Sequence, residues 1–309
     1  MDTAPVLSIS NPLDGSFGFR MLPFEGDGNF NELQRVNYFS IIWIFEGTAE
    51  LKADFSEYTV SAGTMMFFCP YQPFMITASG DSNDGIVTDC SALKGVMLNF
   101  HPDFFCIIKH QKEVACNGIL FNNLYSPPFV VIAEDDASSF HLLMNQIKKE
   151  VQFSGLAQYD LLVSYLKILL INATRIKSSQ IEEFAEPVDK GNEPFILQGL
   201  KDAIDKHFKN KHSAGEYADL LNISVKALGK IVKDHFHTTL TFLIAERIVL
   251  EAKKELYLTN KPVKEIAYEM GFDDEYHFSR YFKNKVKVSP QVFRNSLKNA
   301  WGEVTASTS

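Results

Sequence analysis

The sequence predicts an α+β chain of two domains, an N-terminal antiparallel β barrel or sandwich with flanking helices and a C-terminal all-α domain with two helix-turn-helix units. Three observations carry this reading. Residues 38–100 are short apolar runs broken by turn residues, residues 194–300 read as short helices, and a motif in 218–239 recurs in 267–289. At 309 residues the chain also exceeds one comfortable core, since domains mostly hold about 100–200 residues.

The β domain comes first. In YFSIIWIFEGTAELKADFSEYTVSAGTMMFFCPYQPFMITASG, apolar β-branched and aromatic runs alternate with turns at Glu46-Gly47, Ser61-Ala62-Gly63, Pro70 and Ser79-Gly80, the spacing of a small antiparallel fold. After Asn99 the pattern turns helical. HPDFFCIIKHQ is expected as a short helix, and DDASSFHLLMNQIKKEVQF carries Phe140, Leu143, Met144, Ile147 and Val151 at helical spacing behind an acidic cap. A longer helix follows over 155–177, too broadly apolar to pack on one side only. Residues 178–193, acidic and punctuated by Pro187 and Gly191, read as a linker. The reading therefore divides the chain into 1–177, a linker 178–193, a helical domain 194–300 and a tail 301–309.

Composition narrows the function classes. The start, MDTAPVLSISNP, lacks the basic and apolar regions of a signal peptide, and FSIIWIF falls far short of a membrane span, so a cytoplasmic protein with no membrane partner is expected. The four cysteines, Cys69, Cys90, Cys106 and Cys116, all lie in the first 120 residues, and reduced thiols are the default in a chain of this length. Charge is uneven. Residues 1–190 hold 12 Lys and Arg against 23 Asp and Glu, whereas residues 191–309 hold 18 against 15, or −11 and +3 within a net −8. A mildly basic second half suits an anionic partner.

The internal repeat carries the functional argument. Ala218, Asn222, Ile223, Leu228, Lys230, Val232, Lys233 and Thr239 match Ala267, Gly271, Phe272, Phe278, Arg280, Phe282, Lys283 and Ser289, with one extra residue after the second turn. In each copy an alanine permits close helix crossing, Asn222 or Gly271 suits a left-handed joint, and Ser224, or Asp273 or Asp274, suits an N-cap. The unit so described is a helix-turn-helix, whose second helix enters the DNA major groove. Helical spacing leaves Lys226, Gly229, Lys230 and Lys233 on the outer face of the first copy. On the second it leaves Glu275, Tyr276, Ser279, Arg280 and Lys283. Arg280 is the best candidate for a guanine contact, because its planar fork matches O6 and N7. Lys233, Lys283 and Lys285 suit phosphate. The intervening LTFLIAERIVLEAKKELYLT, at 1.5 Å per residue, would space the two units by roughly 25–30 Å, a little under one DNA turn.

With these residues set out, the segment from about Pro194 to Ala300 resembles the DNA-binding domain of AraC/XylS-family transcription regulators. Arg247 with Ala252 and Leu256, Val263-Lys264-Glu265-Ile266-Ala267, Gly271-Phe272, Phe278-Ser279-Arg280-Tyr281-Phe282-Lys283 and Ser289-Pro290 carry the likeness. Departures fall mostly in the first copy. Gly229-Lys230 stands where the family usually has Ser-Arg, Val232 where it has Phe, His237, Thr239 and Leu240 where it has Gly, Ser and Pro, and Lys287 where it has Gly. The resemblance implies a sequence-specific regulator acting on double-stranded DNA, with RNA polymerase a candidate partner. The front half is more faintly similar to the family's cupin-like sensor domains. That likeness implies a small-molecule effector and a homodimer, with the 155–177 helix as the pairing element.

The effector pocket is expected to be aromatic, drawn from Trp43, Phe45, Phe67, Phe68, Tyr71 and Phe74. A catalytic cupin would need paired histidines and a carboxylate for its metal, and no histidine precedes His101. No catalytic residue and no cofactor are therefore expected. A metal- or thiol-responsive site at Cys106, His110 and Cys116 stands as an alternative, against the non-standard spacing of those ligands.

Overall fold

The computed structural model of the chain describes residues 7–10, 17–26, 30–53, 56–78, 93–107, 110, 119–121, 123–153, 155–184 and 193–298. Two compact units emerge, one built mainly from residues up to Glu183 and the other mainly from Phe184–Ser296.

The first unit contains β1 (Leu7–Ser10), β2 (Phe17–Glu25), β3 (Phe39–Glu46), β4 (Thr48–Ala53), β5 (Ser56–Ser61), β6 (Thr64–Phe68), β7 (Phe74–Ala78), β8 (Lys94–Phe100) and β9 (Phe129–Val131). Among the described residues these form a six-stranded sheet, ordered β1-β2-β8-β3-β6-β9, and a three-stranded sheet, ordered β5-β4-β7, with antiparallel pairing throughout. Two helices follow, α1 (Glu134–Gln152) and α2 (Gln158–Phe184).

Burial shows three layers. Ile42, Ile44, Met66 and Phe68 of the large sheet pack with Leu51, Val60, Phe74 and Ile76 of the small one. On the opposite face, Phe39, Ile41, Trp43, Met65, Phe67 and Leu98 pack against Phe140, Met144 and Ile147 of α1 and Leu162, Leu166, Leu169 and Ala173 of α2. The large sheet is thus a middle layer, which explains why β3 is buried on both faces along most of its length. Each large side chain removed from water there stabilises by roughly 1.5–3 kcal/mol.

Three expectations need correction. Residues 101–107 form turns instead of a helix, because Phe104, Phe105, Cys106 and Ile107 are four consecutive buried residues, which a helix packed on one side would spread around its whole circumference. Residues 108, 109 and 111 of the expected helix lie outside the described residues. Strands at 7–10, 17–25 and 129–131 extend the sheet beyond the anticipated region. Helix α2 runs through Phe184, so residues 178–184 of the expected linker are helical. The rest of that linker up to residue 192, and the 301–309 tail, lie outside the described residues.

The second unit is helical: α3 (Glu193–His207), α4 (Ala214–Leu220), α5 (Val225–Phe236), α6 (Leu240–Leu258), α7 (Val263–Glu269), α8 (Glu275–Val286) and α9 (Pro290–Lys298). Helix α6 is buried along much of its length through Leu243, Ile244, Ile248, Val249, Ala252 and Leu256, as befits the spine on which the other helices pack.

Candidate nucleic-acid interface

The sequence repeat is reproduced bond for bond. At the end of α4, Asn222 takes a left-handed conformation (φ +53°), its N–H donates to Asp219 O (3.2 Å), and Ile223 N–H donates to Ala218 O (3.1 Å). At the end of α7, Gly271 (φ +81°) donates to Tyr268 O (3.0 Å), and Phe272 donates to Ala267 O (3.0 Å). These paired bonds are the Schellman closure of a helix C-terminus. The next helix is then capped in each copy. Ser224 Oγ accepts from Ala227 N–H (3.1 Å) at α5, and Asp274 Oδ2 accepts from His277 N–H (2.9 Å) at α8. Both second helices end on a left-handed residue, His237 (φ +53°) and Lys287 (φ +72°), and Thr239 and Ser289 then cap α6 and α9.

Packing fixes how each second helix is presented. Helix α5 buries Leu228 and Val232, and α8 buries Phe278, Phe282 and Val286. Phe272 sits against Phe278, Tyr281 and His277, an aromatic wedge at the second joint. A Cβ at Gly271 would lie 1.9 Å from Lys209 O, so only glycine lets the second joint seat on the segment after α3. The copies differ where their first helices begin: Pro262 precedes α7 without a side-chain cap, whereas α4 opens on a capping box. Ser213 Oγ accepts from Glu216 N–H, and Glu216 Oε2 accepts from Ser213 N–H (3.0 Å) and His212 N–H (3.1 Å). The Ser213 hydroxyl, which also donates to Glu216 Oε2 (2.8 Å), followed by these backbone donors, holds the Glu216 carboxyl below its ordinary range.

Cross-links then set the frame around α6. Arg247 Nε donates to Asp205 (2.8 Å) and Nη1 to Glu251 (3.1 Å), while its guanidinium lies 4.1 Å from the Phe208 ring centroid. At the other end, Lys261 pairs with Glu269 (2.7 Å) and Glu255 (3.0 Å), and Arg294 donates to the carbonyls of Leu256 and Lys261.

On this frame Lys226, Lys230 and Lys233 of α5 and Tyr276, Arg280 and Lys283 of α8 are exposed, with Tyr276 80% accessible, and Gly229, Glu275 and Ser279 are half-buried beside them. Lys285 departs from that arrangement. It is half-buried on the other side of α8, with Nζ 5.4 Å from the Phe242 ring of α6. Sequence reasoning passed over Val225, the first residue of α5 and 50% exposed. Its position directly after the Ser224 cap was the available signal, and a methyl-bearing side chain there suits a thymine methyl.

The expected effector residues do not share one face. Trp43 and Phe45 lie on the helix side of β3, in contact with each other and with His141 of α1. Phe67 is also on that side, whereas Phe68 and Phe74 stack between the two sheets (4.1 Å). Tyr71 occupies a turn with φ +62°. Of the alternative metal set, Cys106 is buried and His110 stacks on Phe105, while Cys116 lies outside the described residues. No cluster of three metal-ligating side chains occurs among the described residues.

Comparison with known proteins bears on this geometry. A family described as a helix-turn-helix domain matches residues 217–296. The chain is 25% identical over 269 residues to the HTH-type transcriptional activator RhaS of Enterobacter sp. (strain 638), covering 86% of this chain and 85% of that protein. It is 29% identical over 102 residues to the regulatory protein SoxS of Salmonella typhimurium, covering 33% of this chain and 95% of SoxS. Among solved structures, ToxT of Vibrio cholerae is 13% identical and aligns over 92% of this chain and 99% of its own, with a TM-score of 0.40. With its two capped and closed repeats, its matching family and the sequence relatives, the second unit is a double helix-turn-helix domain of the AraC/XylS type.

Proposed function

We propose that this protein is a sequence-specific, DNA-binding transcription regulator. The observation that carries the reading is the pair of helix-turn-helix units that match but for one residue after the second turn, each with its second helix capped, packed from behind and open in front. Arg280 reads a base edge, with Tyr276, Ser279, Glu275 and Val225 contributing on the same helix faces, and Lys226, Lys230, Lys233 and Lys283 contact the sugar-phosphate backbone or adjacent bases. Lys285 acts indirectly, bracing α8 against Phe242. The first unit takes a small-molecule effector and pairs two copies through α2, and the complex engages RNA polymerase in the cytoplasm. Among the described residues no helix is long and apolar enough to cross a membrane.

The direct test is selection of bound duplexes from a random-sequence library by the full-length protein. The expected outcome is enrichment of two short conserved blocks separated by about 10 base pairs, one helical turn. A library that emerges unenriched, with binding that depends on salt alone, would remove sequence-specific reading.

A further inference from the structure

The large sheet carries a polar row where its surroundings are apolar. Arg20 on β2, Asn99 on β8 and Ser40 on β3 are direct cross-strand neighbours. Strand alternation puts them on the face turned toward the small sheet, in line with Ile42, Ile44 and Phe68. Asn99 and Ser40 are 0% and 1% exposed. The bonding pattern assigns the amide orientation: Asn99 Nδ2 donates to Ser40 Oγ (2.8 Å), and Oδ1 accepts from Arg20 Nε (3.0 Å) and Nη2 (3.2 Å). Arg20 Nη2 also donates to the Tyr38 hydroxyl, and the guanidinium lies 5.0 Å and 4.9 Å from the ring centroids of Phe17 and Tyr38.

Two asparagine bonds and two aromatic faces hold this cation in one orientation. Among the described residues no carboxylate pairs with it. A half-buried guanidinium at the rim of an apolar layer is costly without a counter-charge, yet its Nη1 and the Tyr38 O–H take part in none of the bonds above. Along the same face, the next cross-strand pairs are Leu22 with Met97 and Phe24 with Gly95. Leu22, Met97 and Phe24 are each half-buried. The Phe24 ring closes the track by lying over Gly95, where a Cβ would be 2.5 Å from it, and against Phe30. From Arg20 to Phe24 the track runs roughly 13 Å at 3.3 Å per residue.

We propose that Arg20 Nη1 and the Tyr38 hydroxyl bind the carboxylate of a small amphipathic organic acid whose apolar part lies along Leu22 and Met97 toward Phe24. One cation and one phenol match a single planar carboxylate, with charge-assisted bonds to its oxygens, and they leave a phosphate dianion under-compensated. The proposal rests on the reading that the first unit takes an effector, and it supplies the chemical class.

The test uses the full-length protein with sodium octanoate and sodium benzoate as probes, and octan-1-ol and benzyl alcohol as uncharged counterparts, read by thermal shift and calorimetry. At least one carboxylate is expected to raise Tm and its alcohol counterpart to leave it unchanged. Arg20→Gln should weaken carboxylate binding by at least about tenfold, with Arg20→Lys intermediate. If Arg20→Gln does not fold, Tyr38→Phe keeps the aromatic cage, removes the O–H donor, and should weaken binding several-fold. Equal shifts from acids and alcohols, no shift from either acid, or unchanged binding in these variants overturns the site. Carboxylate binding at Arg20 with unaltered promoter binding would keep the site and reject effector control. Promoter binding that answers neutral sugars but neither acid would do the reverse.

Discussion

Arg280 and Lys283 lie one helical turn apart on α8, both exposed, yet their losses should differ in kind. A guanidinium reading guanine discriminates between sequences by about 1–3 kcal/mol, whereas an ammonium on phosphate holds every sequence alike. Arg280→Ala should therefore weaken operator binding more than random-DNA binding in a competition gel-shift. Lys283→Ala should weaken both alike and reduce the salt slope by about one unit. Equal losses from Arg280→Ala would reassign it to the backbone. A separate expectation concerns His237 and Lys287, which bear side chains at left-handed φ, a conformation that costs non-glycine residues about 1 kcal/mol. His237→Gly and Lys287→Gly should each raise the unfolding free energy by up to about that much in denaturant titration, since both residues lie past the helix ends.

At the scale of elements, helix α5 carries a glycine in its middle where α8 carries Ser279. A Cβ added at Gly229 would meet nothing within 4 Å, and glycine costs a helix interior about 1 kcal/mol relative to alanine. Gly229→Ala should stabilise the second unit by about that amount. Tighter DNA binding alongside it would show that fraying of α5 limits reading by the first head. In the first unit, α2 grips the edge strand β9. Gln180 exchanges hydrogen bonds with the backbone of Val131, and Lys177 Nζ donates to Pro127 O (2.9 Å) and Phe129 O (2.7 Å), which blocks an edge otherwise open to pairing. Burial pushes the Lys177 ammonium down to about 8. The unfolded chain then binds more protons above that pH, so this lysine makes stability rise with pH from about 8 toward 10.5. In a Trp301→Phe background, unfolding followed by Trp43 fluorescence should show a rise between pH 8 and 9.5 that Lys177→Met abolishes. A difference between the two proteins that stays constant with pH would mean the carbonyls keep Lys177 charged throughout. The same elements show what the sequence could disclose. The helix-turn-helix repeat was legible because caps, joints and packing residues are local and each has a residue-type signature. Strand β2 was not, because Pro23 speaks against a strand interior. Among the described residues β1 pairs with residues 17–21 of β2, so Pro23 meets no described ladder partner on that side, the setting in which a strand proline is tolerated. Alternation along β3 separated Trp43 and Phe45 from Ile42 and Ile44, but it could not say which side faced the small sheet. With helices behind the large sheet, both sides are equally apolar, so the aromatic set chosen from composition fell on two faces.

At the scale of the whole molecule, the charge division and the surface of α2 bear on the same question, how an acidic chain would bind an anionic polymer. A net of +3 after residue 190 supports only modest phosphate neutralisation per chain, and salt-dependent affinity grows with the number of phosphates neutralised. Pairing two chains doubles that number and makes the second binding event intramolecular, a gain of roughly 10²–10⁴ without any new contact to DNA. In the proposed pairing, helix α2 would supply the surface. Its inner side buries Leu162, Leu166, Leu169 and Ala173, while Leu161 (39% exposed) and Ile168 (46% exposed) stay open to solvent two turns apart, with Tyr165 half-buried between them. The double variant Leu161→Glu/Ile168→Glu places charges on that stripe without entering the core, so Tm of the dilute protein should stay within a few degrees of the parent. Sedimentation velocity should show a dimer for the parent and a monomer for the variant. Operator affinity should drop at least tenfold with a shallower salt slope, because half the phosphate contacts are lost together. A variant that remains dimeric would move the interface off α2, and a monomeric variant with unchanged affinity and slope would mean that a single chain, with its two heads, is the complete DNA-binding unit.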